Sequence, residues 1–271
     1  MKSGLIKKFL LSIFIITIIL ILILWFSPVK YDDIVAAPHL SPRLQHIFGT
    51  DYIGRDLFIR VCYAILNTLF IVVCSIFCSL FFGVVYGAYA GYRGGKVEKG
   101  MIIFLNILES VPSFLLMIVF LVLLNSFLSE MGGMLGILLV LTFVSWIYLS
   151  RIIINETKKL MDTDYIQYAV IKKANFWHIF VFHLLPNFKN IIITVIIQKI
   201  PSFIFIESFL SFVGIGIQPP FPSLGKMISD GIKVFRVYPH ELFIPILVIV
   251  FIVFMFNVLG EITIRNKKEY V

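Results

Sequence analysis

The stretch DYIQYAVIKKANFWHIFVFHLLPN, residues 164–187, interrupts a chain that is otherwise almost all apolar. Asp164 can cap a helix beginning at Tyr165, with Gln167 at the third helical position reaching back as a variant of the capping box. Ile166, Ala169 and Val170 then fall at i, i+3 and i+4 and make one apolar stripe, while Gln167 and Lys172 point elsewhere. Asn175 can cap a second short helix, residues 176–185, that ends before Pro186, because the residue ahead of a proline is driven out of the α region. The segment predicts a helix-turn-helix at a membrane face. Such an element either rests on lipid as an amphipathic helix or docks on a partner. The narrow stripe of small and medium residues suits a groove on a protein better than burial among acyl chains.

The surrounding composition sets the environment. Of the 271 residues 60% are hydrophobic and 14% charged, against about 25% charged in soluble domains, and the mean hydropathy is +1.01. A hydrocarbon core of about 30 Å takes about 20 helical residues to cross. Apolar runs of that length occur at 9–29, 61–92, 110–129, 131–150 and 242–260, and a sixth, 190–217, is interrupted only by Lys199 and Glu207. These predict an all-α membrane protein with six transmembrane helices. A closed barrel would instead show alternating segments of about ten residues. The first run follows Lys2, Lys7 and Lys8 but ends in Trp25-Phe26-Ser27-Pro28, not a small-x-small cleavage site, so an uncleaved anchor is expected. Residues 1–60 read as an anchor with an extracytoplasmic segment, and 61–271 as a core domain with five transmembrane helices.

With the N-terminus in the cytosol, alternation puts fifteen of the 23 lysines and arginines inside and seven outside, with Lys199 within a helix. The positive-inside rule then places both termini in the cytoplasm. This asymmetry accounts for the net charge of +8 without nucleic acid. Cys62, Cys74 and Cys78 lie in or beside the second apolar run and read as buried thiols. GYRGGKV, residues 91–97, is glycine-rich, but Ala90 stands where a P-loop needs its first glycine and Val97 where it needs a hydroxyl for magnesium. Neither H-E-x-x-H nor G-x-S-x-G is present, so no catalytic residue or metal site is predicted and the chain does not read as an enzyme. His39 and His46, in the outer loop, are expected to be solvated.

The opening stretch resembles the cytoplasmic EAA loop of ABC importer permeases: E-A-A, three residues, G, nine residues, I-x-L-P. Gln167-Tyr168-Ala169 stands for E-A-A, Lys173 for the glycine and His183-Leu184-Leu185-Pro186 for I-x-L-P, with the spacing kept. Three further stretches are similar to the C-type permease subunit of oligopeptide, dipeptide and nickel importers. GTDYIGRD, 49–56, resembles G-T-D-x-x-G-R-D. ESFLSFVGIGIQPPFPSLGKM, 207–227, resembles E-A-x-L-S-F-L-G-x-G-x-x-P-P-x-P-x-W-G-x-M, with Leu224 for tryptophan, and FNVLGE, 256–261, resembles F-N-L-L-G-D.

The resemblance implies the ABC importer permease fold with a cytoplasmic coupling helix, and a subunit forming half of the translocation pathway for peptides, nickel or a related metal chelate. It implies a second, B-type permease, cytosolic ATPase subunits that carry ATP and Mg, an extracytoplasmic substrate-binding protein, and a bacterial cell membrane whose lipid surrounds the helices. No cofactor is expected in this chain. ATPase coupling falls to Asp164, Tyr165, Ile166, Gln167, Ala169, Val170, Lys173, Leu185 and Pro186, and the extracytoplasmic signature to Gly49, Thr50, Asp51, Gly54, Arg55 and Asp56. A charge at membrane depth faces a cavity, a partner or another charge. Glu207 is therefore expected either to lie on the pathway and meet a cationic group of the substrate, or to brace the helix end near Gly214. Asp51 and Arg55, four apart, are expected to pair. The alternative is an autonomous secondary transporter or channel, which needs neither coupling loop nor ATPase.

Overall fold

The computed structural model describes residues 17–127 and 133–268. In chain order its helices are α1 (Thr17–Phe26), α2 (Leu57–Arg93), α3 (Gly95–Glu109), α4 (Ser113–Phe127), α5 (Met134–Met161), α6 (Asp164–Ile171), α7 (Phe176–Val213), α8 (Leu224–Val234) and α9 (His240–Lys268). The β structure among the described residues is confined to isolated bridges within residues 34–56.

Four helices, α2, α5, α7 and α9, are long and apolar enough to cross a membrane, and they contain the predicted runs 61–92 and 242–260 and most of 131–150 and 190–217. The run 110–129 does not form one straight span. Its helix begins earlier, at Gly95, stops at Glu109 and resumes at Ser113 with a bend of 78°. Pro112 causes the stop, since it disfavours helical geometry at Val111 and brings no N–H of its own. The bent pair makes a fifth span only if its halves are counted together. The predicted run 9–29 is described only from Thr17, and the turn at 128–132 lies outside the described residues. The expected six spans are therefore four or five among the described residues.

Two compact units interleave along the chain. The first draws on Met1–Val73, Leu121–Leu138 and Ile197–Val271. Its core joins Leu57, Val61 and Ala64 of α2 to Leu224 and Met227 of α8, closed by Ile244, Val248 and Ile252 of α9. The opposite side of α8 is charged, with Asp230 between Lys226 at 3.3 Å and Lys233 at 3.0 Å.

The second unit takes Cys74–Phe120 and Leu139–Ile196. Here α2 and α5 touch along Gly83, Gly87 and Gly91: a β carbon on Gly87 would stand 2.6 Å from the Ser150 carbonyl oxygen, and one on Gly91 2.6 Å from Thr157 Cβ. Small residues spaced by four let backbones meet where lipid offers no hydrophobic drive to helix pairing. Val84, Ala88, Leu149 and Ile153 fill the remaining contact, and Ile166, Ile179, Leu184 and Phe188 extend it into one core.

Candidate functional site

The segment 164–187 folds as a short helix, a tight turn and the start of a long helix. Thr163, not Asp164, is the N-cap of α6; the chain is extended there (φ −85°, ψ 142°), and its hydroxyl makes no capping bond to the helix but donates to the Leu160 carbonyl. The start therefore shifts by one residue, and Asp164 joins the first turn, where its charge complements the helix dipole. At the other end the Ala174 N–H donates to the Ala169 carbonyl (3.1 Å) and the Lys173 N–H to that of Val170 (2.9 Å). This is a Schellman turn, and its left-handed position is Lys173, with φ +58°. The residue standing for the family's glycine thus adopts the glycine geometry, at a cost of about 1–2 kcal/mol for a side chain there.

Asn175 caps α7 as predicted, its Oδ1 accepting from the His178 N–H at 2.8 Å. The helix does not stop before Pro186. Phe180–Leu184 form a π turn in which the Leu185 N–H reaches back to the Phe180 carbonyl, and Leu185–Val213 follow without a break. The widened turn accommodates the proline ring and its missing donor. Phe176–Val213 is accordingly one span of 38 residues.

The predicted stripe is only partly available to a partner. Ile166 is fully buried with Ile179, Leu184 and Phe188, and Ala169 packs against the same core. An eight-residue helix is too short to hold by itself and must seat its apolar stripe on its own unit. What stays open is the neighbouring face, Tyr165, Tyr168 (58% exposed), Ile171 (77%) and Trp177 (59%), joined by Val170. The Lys172 ammonium lies 4.6 Å from the centre of the Tyr168 ring. Phe176 anchors the turn between Tyr89 and Tyr92, at 5.3 Å from each. Asp164, Gln167, Leu185 and Pro186 are exposed.

In the outer segment, Asp51 organises GTDYIGRD. Its Oδ1 accepts from the N–H groups of Ile53, Gly54 and Arg55 (2.9, 3.1 and 3.0 Å), and its Oδ2 takes Arg55 Nε at 2.7 Å, the expected pair. Thr50 Oγ1 donates to the Ala37 carbonyl and accepts from the Leu40 N–H. A β carbon on Gly54, at φ +97°, would lie 2.1 Å from the Ala36 carbonyl oxygen. Asp56 caps α2 by accepting from the N–H groups of Phe58 and Ile59, and its other oxygen meets His46 Nδ1 at 2.7 Å. His39 Nδ1 lies 2.6 Å from Glu241. Both histidines, expected to be solvated, are carboxylate partners instead, because the segment folds back on the helix starts that carry Asp56 and Glu241.

Glu207 is wholly enclosed. Its Oε2 accepts from Thr68 (2.8 Å) and Ser208 (3.3 Å), and its Oε1 from Ser211 (3.0 Å) and Ser223 (3.1 Å). Ser211 Oγ in turn accepts from the Ile217 N–H at 3.1 Å. One carboxylate thereby fastens α2, α7 and the loop beyond Gly214. The glycine stripe of α2 was not singled out by motif reading, although its spacing of four was the available signal.

Residues 83–266 match the family described as the binding-protein-dependent transport system inner membrane component, and the chain belongs to that family of ABC importer permeases. Within it the chain falls in the oligopeptide and dipeptide branch. It is 32% identical to the oligopeptide transport system permease protein OppC of Bacillus subtilis, over 91% of this chain and 81% of that one. Identity to the dipeptide transport system permease protein DppC of the same organism is 36%, over 82% and 68%. Haemophilus influenzae OppC is 33% identical, over 94% and 82%. Among solved structures, a chain of the MetNI methionine ABC transporter in inward-facing conformations shares the fold, with a TM-score of 0.59 and 16% identity over 75% of this chain and 94% of that one. These relatives are transport permeases, and this chain is a multi-pass membrane protein of the same kind.

Proposed function

We propose that the chain is the C-type membrane subunit of an ATP-driven peptide importer, forming half of the translocation pathway beside a B-type permease. Cytosolic ATPase subunits carry ATP and Mg, an extracytoplasmic binding protein delivers the peptide, and this chain needs no cofactor of its own. Peptides are preferred to nickel because the relatives carry oligopeptide and dipeptide names. The distribution of basic residues supports both termini in the cytosol, and the bacterial relatives support a bacterial cell membrane. Residues 1–60 serve as anchor and outer segment, and 61–271 as the core, which contains the whole family match.

The observation that carries this reading is the open aromatic face of α6 and the first turn of α7. Tyr165, Tyr168, Ile171 and Trp177 are held out by a turn whose other side is locked into the core through Ile166 and Ala169. Such a face fits a groove on an ATPase. α5 ends at Met161 and α7 begins at Phe176, so a displacement of α6 passes directly to two membrane-crossing helices. Closure of the ATPase pair on ATP would then tilt both. The test is affinity purification of the chain from its own membranes, wild type beside Tyr168→Asp, with mass spectrometry of the companions. A second permease and ATPases are expected with wild type, and the ATPases are expected to drop away in the variant. A wild-type chain that purifies alone and moves solute in liposomes without ATP would overturn the proposal.

A further inference from the structure

Asn106, Glu109 and Arg151 have no role in the account so far, yet they meet in the second unit. Arg151 of α5 sets Nε 3.0 Å and Nη2 2.6 Å from the two carboxylate oxygens of Glu109, and Nη2 also donates to Asn106 Oδ1 at 2.5 Å. Glu109 is the last residue of α3, at the 78° break before α4.

Three features mark this cluster. First, it is partly open on both sides of the pair: the Arg151 and Glu109 side chains are 34% and 39% exposed. Charges open at the surface of a membrane helix are tolerated where they face water or a polar partner. Second, it belongs to a polar face. Tyr148, Arg151 and Asn155 follow at helical spacing on α5 with Tyr148 and Asn155 exposed, while Leu149, Ile153 and Ile154 on the other side are buried. An apolar inner face with a polar outer one suits a wall of an aqueous path. Third, the donors are not used up. Glu109 occupies one edge of the guanidinium, and the Nη1 side has no partner among the described residues. With Oδ1 turned to Arg151, the Asn106 amide keeps both N–H groups for another acceptor.

We infer that Asn106 and Arg151 bind the C-terminal carboxylate of a peptide on its way through this subunit, with Glu109 holding the guanidinium in position. With the Nε–Nη2 edge on Glu109 and the second Nη2 hydrogen on Asn106, a peptide carboxylate can take one charge-assisted N–H···O bond from Nη1 and one N–H···O bond from the Asn106 amide. Glu109, as a competing carboxylate, keeps the site weak enough for onward passage, as a conducting site must be. Arg151 lies ten residues before Met161, the end of α5, about 15 Å along the helix, so a movement of α6 reaches it through one rigid element. The site rests on the peptide reading proposed above.

The test is ATP-driven import into proteoliposomes holding the complete transporter purified with this chain. A library of two- to five-residue alanine peptides, as free acids and as C-terminal amides, is counted inside by mass spectrometry. The binding protein is the same throughout, so a difference between variants belongs to this subunit. Wild type is expected to favour acids over amides by about tenfold, the effect of one charge-assisted hydrogen bond. Arg151→Gln is expected to bring that ratio down by about tenfold, and Arg151→Lys, which keeps the charge but cannot bind Glu109, Asn106 and a substrate carboxylate at the same fixed angles, to fall between. Glu109→Gln is expected to raise it. Where Arg151→Gln fails to assemble, Arg151→Lys decides. A ratio equal to wild type in these arginine variants overturns the site and leaves the peptide reading standing. Wild-type vesicles that import neither form overturn the peptide reading, and the site with it.

Discussion

Replacing Glu207 separates a structural brace from a pathway charge. Glu207→Ala would leave the hydroxyls of Thr68, Ser211 and Ser223 without their acceptor at positions that are 3%, 0% and 0% exposed. A buried donor left unpaired costs about 1–3 kcal/mol, some of it regained as hydroxyls rotate and as a buried charge is removed. A net loss of about 4 kcal/mol is expected. Glu207→Gln keeps the shape and one acceptor oxygen, and its amide can donate to two hydroxyls that accept equally well, so the loss should be about 1 kcal/mol. At about 2–4 °C per kcal/mol for a chain of this size, melting of the purified transporter in detergent should fall by about 12 °C for alanine and about 3 °C for glutamine. Peptide import by the glutamine variant should follow the amount of folded protein. A glutamine variant with wild-type melting and no import would make the charge itself functional and place Glu207 on the pathway. An alanine variant with wild-type melting would refute the brace.

Lys173→Gly should relieve the left-handed strain at φ +58° and raise melting by about 2–4 °C, the equivalent of about 1 kcal/mol, without loss of ATPase co-purification; a lower melting temperature would contradict the Schellman turn. Gly87→Val forces a side chain against Ser150 and Ile153 and should cost about 2 kcal/mol or more, whereas Gly100→Ala, whose β carbon meets nothing within 4 Å, should match or slightly exceed wild type; equal melting of the two variants would contradict the close helix contact. Gly54→Ala, blocked by the Ala36 carbonyl, should loosen the outer segment and speed protease cleavage within residues 30–56 about tenfold, in line with about 1–3 kcal/mol of strain. An unchanged cleavage rate would remove that argument.

The apolar runs were legible because hydropathy acts over twenty residues and needs no partner. The helix Gly95–Glu109 was not, since Lys96, Glu98 and Lys99 give its first turns the look of a loop; the fold answers with Lys158 at 2.8 Å from Glu98. Pro186 illustrates a local rule overridden by a local remedy: the π turn absorbs the proline, and nothing in residue spacing announces it. Periodicity placed Ile166, Ala169 and Val170 on one face but not which neighbour that face meets, and the answer lay in Ile179, Leu184 and Phe188. Depth marked Glu207 as unusual, while its partner Thr68 lies 139 residues away and Ser223 lies beyond the turn that follows Gly214. His39 was misjudged for the same reason, as Glu241 is 202 residues from it, whereas His46 has its partner Asp56 only ten residues on and was missed because the fold-back of the loop between them is not visible in residue spacing. The left-handed turn at Lys173 was not legible in the residue itself, because a lysine argues against positive φ and only the family pattern has glycine there.

Ile166 and Ile171 share one eight-residue helix, the first fully buried and the second 77% exposed. A photo-crosslinking side chain at each position, in the whole transporter in its own membranes with and without ATP, tests coupling most directly. The account predicts an adduct from position 171 to an ATPase subunit, changed in yield by nucleotide, and from position 166 only adducts within this chain. Capture of lipid alone at 171, or of the ATPase at 166, would contradict it.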